Sequence, residues 1–137
     1  MLCGRTTKID ALSSVSYKND WVIDSGCGHH LTGDKFKFSS FRDYKEYDAI
    51  VTVDNSIHPL EKEGVVTIDG DGDDKITLKS VFQVSEIKKN LFSVANDVDA
   101  GNYVLFGPKD VKFLQNIRIL DANVIHMGIR GLKTYLF

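Results

Sequence analysis

Apolar positions along the chain fall in short runs separated by polar turns, and a single stretch has helical spacing. Residues 1–19 are rich in Thr, Ser and Lys without periodicity and predict a flexible leader. Trp21-Val22-Ile23 opens the ordered domain as a buried strand. Residues 35–47 place Phe36, Phe38, Phe41, Tyr44 and Tyr47 among charges, which predicts a core-lining loop or short strand. Ala49-Ile50-Val51-Thr52-Val53 is a strand, and Asp54-Asn55-Ser56 is a turn. The chain returns through Ile57 to Leu60 and on to Val65-Val66-Thr67-Ile68, as a long hairpin with Gly64 as a bulge. A second hairpin turns over Asp69 to Asp74 and continues as strand Ile76 to Val84. Leu91, Val94, Ala95 and Val98 have the spacing of a short helix that stops at Gly101. Tyr103 to Phe106, Val111 to Leu114 and Asn116 to Leu120 follow as short strands, with Gly107 to Asp110 turning between the first two. The order predicts an all-β domain with one short helix, and no βαβ pattern occurs.

Composition narrows the class. A chain of 137 residues is one domain with room for a core. A net charge of -2 gives no reason to expect nucleic acid as the partner, and Lys88-Lys89 reads as a solvated face. No stretch has the length of a membrane span, and no signal-peptide core is present, so no membrane contact is expected. Cys3 and Cys27 make no disulfide framework and predict free thiols in a reducing, cytoplasmic setting.

The candidate chemistry sits at Asp24-Ser25-Gly26. An apolar strand delivers a carboxylate onto a tight turn, where it must meet water, pair, or shift its pKa. On the tripeptide alone, the simpler reading of Asp24 is a carboxylate that caps the turn. Asp-Ser-Gly after two apolar residues is also the signature of aspartic proteases, in which two carboxylates share a proton and activate water. The chain carries the tripeptide once, so a second chain would have to supply the second carboxylate.

Further residues extend the match. Trp21 to Asp34, with His30, Thr32 and Gly33 in place, resembles the protease segment of copia-type LTR retrotransposon polyproteins. Val81-Phe82-Gln83-Val84, Lys88 to Val94, and Gly131-Leu132 to Tyr135-Leu136 resemble later stretches of the same family. The resemblance covers residues 21–137. It implies a retropepsin-like closed β-barrel, active as a homodimer on its own polyprotein, without cofactor, in the cytoplasm within virus-like particles. Residues 20–137 would be the protease domain, with 105–137 open between that domain and an extension toward the next polyprotein segment. On this resemblance Asp24, Ser25 and Gly26 are catalytic, and Asp54-Asn55-Ser56 is the tip of a flap. Gly28, His29, Val53, Asp54, Asn55, Ser56 and Leu91 would meet the peptide. Leu91-Phe92-Ser93 would cross behind the catalytic turn as a strand, pushing the start of the helix past Ser93. Two departures are visible: Ser93 stands where retropepsins usually carry Gly, and the flap tip is Asp-Asn-Ser where the copia branch often has Asp-Gly-Ser.

Other chemistries fit less well. Cys27, His29 and His30 match no tetrahedral zinc spacing, so no metal is expected and His30 reads as a buried structural histidine. Asp69, Asp71 and Asp73 imitate the start of a calcium loop, but Asp74 and Ser80 occupy the positions of its Gly and Glu. Ser25 or Ser93 lacks the elbow of a serine hydrolase. The rival readings are a domesticated or inactive retropepsin-fold dimerisation or binding module, and a monomeric β-barrel of unknown ligand.

Overall fold

The computed structural model describes residues 2–3, 19–52, 54–69, 74–118, 121–131 and 135–136. In chain order its strands are β1 (Leu2–Cys3), β2 (Trp21–Asp24), β3 (His30–Thr32), β4 (Phe38–Asp43), β5 (Ala49–Thr52), β6 (Ile57–Pro59), β7 (Lys62–Asp69), β8 (Lys75–Gln83) and β9 (Asn90–Ser93). The helix α1 (Val94–Asp99) follows, then β10 (Tyr103–Phe106), β11 (Val111–Leu114), β12 (Ile129–Arg130) and β13 (Tyr135–Leu136).

Six strands form the main sheet, in the order β2-β9-β3-β8-β7-β4. Its central strands are covered on both faces, and neighbouring residues alternate between two cores. Val22, Leu91 and Phe82 enter a cluster with Cys27, Leu31, Ile50, Leu60 and Val84. Ile23, Phe92 and Val81 enter the other, with Val66 and Leu78. Burial on both sides explains why Trp21-Val22-Ile23 is apolar throughout rather than alternating. Each fully buried aliphatic or aromatic side chain stabilises this packing by about 1.5–3 kcal/mol.

The hairpin β5–β6 belongs to a separate three-stranded sheet, β1-β5-β6, and reaches the first core through Ile50. The hairpin β10–β11 reaches the second through Phe113, whose ring lies 4.9 Å from that of Phe92.

Several expectations change. The six-stranded sheet is open, with β2 and β4 as its edges, so the closed barrel is not formed among the described residues. The long hairpin from residue 49 to 68 is two elements. The β5–β6 ladder ends at Pro59, which has no N–H to continue it, and β7 joins β4 and β8 instead. The aromatic stretch is a 3-10 turn at Lys35–Lys37 followed by edge strand β4. Phe38 and Tyr44 pack against the cores, whereas Phe36, Phe41 and Tyr47 are exposed. Residues 90–93 pair as a strand, and the helix begins at Val94 with Ser93 as its cap. It stops at Gly101, whose φ is 92°. Asn116 has a φ of 52°, which breaks the strand expected from there. Ile117 and Arg118 are not in a strand, and residues 119 and 120 lie outside the described residues. So do residues 4–18 of the leader and residues 70–73 of the acidic turn, whereas Leu2–Cys3 pairs with β5.

The bulge expected at Gly64 exists, but the extra residue lies across from it. Between the pairs Gly64↔Val81 and Val66↔Leu78, β8 advances one residue further than β7. Ser80, in that excess, has a φ of 56°. A serine in the left-handed region is strained, and glycine suits this kind of bulge. Ser80→Gly is therefore expected to raise stability by about 0.5–1 kcal/mol, measured by urea unfolding. A destabilised variant would show that the serine is not strained there.

Candidate functional site

β2 ends at Asp24, and the chain turns through Ser25 and Gly26, both exposed. Asp24 Oδ1 accepts the Gly26 N–H at 2.7 Å, which closes the turn. A Cβ on Gly26 would stand 3.3 Å from the same oxygen, so the residue is small where the carboxylate approaches. Asp24 Oδ2 accepts no hydrogen bond among the described residues.

The turn is braced from behind. β9 lies between β2 and β3, parallel to the first and antiparallel to the second, with Ser93 opposite Asp24. Ser93 is fully buried. Its Oγ donates to the Cys27 carbonyl at 2.6 Å and accepts the Asn96 N–H at 3.1 Å, so one hydroxyl fixes both the turn and the start of α1. The Ser93 N–H donates to His30 Nδ1 at 2.9 Å. Thr32 Oγ1 donates to Asn90 Oδ1 at 2.7 Å, and Asn90 Nδ2 donates to the Asp20 carbonyl at 3.0 Å. This buried polar web holds both ends of β2. A glycine at 93 would remove the hydroxyl and with it both of those bonds.

Two members of this web stand out in the sequence: His30, expected as a buried structural histidine and buried here, and Ser93, expected on the strand that crosses behind the turn and found there. Thr32 and Asn90 were given no role. Thr32 is followed by Gly33-Asp34 and Asn90 is preceded by Lys88-Lys89, so the local pattern marks neither as buried, and their mutual bond makes their burial tolerable.

The other expected site residues lie in three places. Gly28 is buried and His29 half-buried, with the His29 ring edge-on to Phe82 at 5.0 Å. Leu91 is 1% exposed and packs in the first core, so it supports the turn and offers no surface to a peptide. Asp54, Asn55 and Ser56 form the tip of the β5–β6 hairpin, and Val53 lies outside the described residues. The hairpin base and the Asp24 turn meet through the core that holds Ile50, Cys27 and Leu91. No hydrogen bond among the described residues joins the tip to Asp24. The groove of about 580 Å³ between β8, α1 and β11 includes none of these residues.

The tip is closed by its own side chains. Asp54 Oδ1 accepts from Thr52 Oγ1 at 2.5 Å and from the Ser56 N–H at 3.0 Å. Asn55 takes a φ of 65°, which its side chain tolerates, so the tip forms without the glycine common in the copia branch. The Thr52 hydroxyl, then the Ser56 N–H, lower the Asp54 pKa from 3.8 to about 2. The folded value lies below the unfolded one, so this contribution is complete above the ordinary carboxylate range and is lost as pH falls through about 2. The tip should therefore stay closed across acid and neutral pH. A side-chain titration by NMR should place Asp54 clearly below a free aspartate, and a midpoint near 3.8 would contradict the closed turn.

Among the described residues no three His, Cys, Asp or Glu side chains gather to hold a metal ion, and no helix is long and apolar enough to cross a membrane.

The sequence matches the family described as "Pol polyprotein, beta-barrel domain" over residues 21–102. The chain belongs to this family. The Pol β-barrel match begins at Trp21 and ends just past the glycine that stops α1, so it contains both the Asp24 turn and the strand that braces it. Relatives agree. The chain is 32% identical over 84 residues to the retrovirus-related Pol polyprotein from transposon RE1 of Arabidopsis thaliana, covering 61% of this chain and 6% of that protein. The polyprotein from transposon RE2 of the same plant matches equally over the same shares. The putative transposon Ty5-1 protein of Saccharomyces cerevisiae is 31% identical over 93 residues, covering 68% of this chain and 57% of that protein. The chain thus spans less than two thirds of each of these relatives. No solved structure matches it significantly. The resemblance to retrotransposon polyproteins, read over residues 21–137, holds at the level of a Pol polyprotein segment, with the family match covering residues 21–102.

Proposed function

We propose that this Pol β-barrel domain is one half of an aspartic endopeptidase that cleaves its own retrotransposon polyprotein. The observation that carries the reading is Asp24, set on an exposed Asp-Ser-Gly turn at the end of β2 and braced from behind by Ser93 of β9. Two such turns meeting at a two-fold axis would bring two carboxylates to about 3 Å, where they share one proton. The ionised carboxylate takes a proton from water, and the neutral one hydrogen-bonds the scissile carbonyl. Ser25 would hold the two turns together across the axis. The β5–β6 hairpin, with its tip at Asp54 to Ser56, would fold over the bound peptide. No cofactor enters this mechanism, and the setting would be a cytoplasmic virus-like particle.

One observation favours the rival reading, a non-catalytic dimerisation or binding module. Asp24 Oδ1 is already engaged by the Gly26 N–H, as a simple turn cap would be. Dilution separates the two. A site shared by two chains makes specific activity on a polyprotein precursor fall with the dimer fraction, and an excess of Asp24→Asn chains should suppress it further through mixed dimers. Activity that stays constant well below the dissociation midpoint, measured by ultracentrifugation, would exclude the shared site.

A further inference from the structure

The β5–β6 hairpin shares no ladder with the six-stranded sheet among the described residues. β6 pairs with one side of β5. The other side would be an open row of N–H and C=O groups, ready to take another strand. That side is occupied. Leu2–Cys3 runs parallel along it, with Leu2 opposite Val51 and Cys3 opposite Thr52. The pairing ends beside the tip turn that Thr52, Asp54 and Ser56 close.

We propose that the outer edge of β5 is a docking site for an extended peptide, and that this chain's own Leu2–Cys3 segment is its resident occupant. The ligand class follows from the chemistry of an edge. Backbone groups supply the affinity, so an extended chain of almost any sequence can pair, and side chains on alternate positions add selectivity. The edge is held in place because Ile50, in the middle of β5, is fully buried in the core. A two-residue ladder is weak, since each hydrogen bond contributes about 1 kcal/mol. Tethering makes it sufficient, because a segment of the same chain acts at an effective concentration on the order of millimolar. The resident strand is therefore exchangeable. One consequence rests on the endopeptidase reading. A segment lying along the hairpin that closes over substrate competes with substrate for it, so Leu2–Cys3 acts as a built-in inhibitor.

Two measurements on the full chain test the site without using cleavage. The first is cross-linking. Opposed residues on neighbouring strands lie within disulfide range, about 4.4–6.8 Å between Cα atoms. In the T52C variant, oxidised glutathione should join the new thiol to Cys3, releasing two molecules of reduced glutathione. This should be at least tenfold faster than in N55C, while Cys27, which is fully buried, stays reduced. The second is hydrogen exchange. In the Leu2→Pro/Cys3→Pro variant, the Val51 amide should exchange about tenfold faster, because it faces the resident strand while the Thr52 N–H beside it donates across β6 to the Ser56 carbonyl at 3.0 Å, with β2 and β9 unchanged as the check on folding. A synthetic peptide of residues 1–6 at millimolar concentration should restore the protection. Equal cross-linking of T52C and N55C, unchanged exchange at Val51, or no restoration by the peptide would each overturn the proposal. Because none of these outcomes depends on catalysis, the docking site and the endopeptidase reading can fail separately.

Discussion

Replacing Asp24 with Asn should reduce cleavage of a polyprotein precursor by about 10²–10⁴-fold or more while leaving the fold intact. The amide keeps the carbonyl oxygen that takes the Gly26 N–H at 2.7 Å, so the turn survives. It cannot accept a proton from water, and two amides cannot share a proton across a two-fold axis. Unfolding and sedimentation measured beside cleavage keep the result clean, because the variant should melt and associate as the parent does. Defined fragments at the parental rate from a pure Asp24→Asn preparation would end the aspartic reading.

Gly33→Ala should have the largest effect on stability. An added Cβ would stand 1.8 Å from the Ile87 carbonyl oxygen, 3.0 Å from its carbon, and 3.3 Å from the Val84 carbonyl oxygen. These are backbone atoms that have little freedom to retreat. The Val84 N–H donates to the Thr32 carbonyl at 2.9 Å, the Ile87 N–H donates to the Val84 carbonyl at 3.0 Å, and Val84 is fully buried. Relief would mean separating β3 from the end of β8. A loss of about 3 kcal/mol or more is expected, with a fall of roughly 10 °C in Tm. Gly101→Ala is the contrast, because nothing lies within 4 Å and the cost is only that of a φ of 92°. A Gly33→Ala protein melting within a degree or two of the parent would show that residues 84–87 can move.

Legibility followed how local each cause was. Asp24 at the end of an apolar strand, the turn at Asp54 to Ser56 and the stop at Gly101 could be read because each depends on a few adjacent residues. Residues 90–93 could not be read from periodicity. Leu91, Val94, Ala95 and Val98 suit a helix, and only the gap between β2 and β3 makes Asn90 to Ser93 extended. The family resemblance supplied that correction, because it carried information about distant pairing. Phe36, Phe41 and Tyr47 misled for the opposite reason. Aromatic density suggests burial, but Phe41 lies on the edge strand β4, Phe36 in the 3-10 turn before it and Tyr47 between β4 and β5, at the margin of the sheet. The site divides the same way. The carboxylate was visible, whereas the bonds from Thr32 to Asn90 and from Ser93 to Cys27 cross about sixty residues of sequence and needed the folded chain.

The threading of β9 between β2 and β3 also sets an order in time. A growing polyprotein releases the Asp-Ser-Gly turn from the ribosome long before Asn90 to Ser93. Until those four residues arrive, the Cys27 carbonyl lacks its donor, His30 has no Ser93 N–H to accept, and Asp24 has no opposite strand. Contacts this far apart in sequence form late and slowly. A nascent chain that ends before Asn90 therefore carries the motif without its geometry, which forms only once the domain is nearly complete.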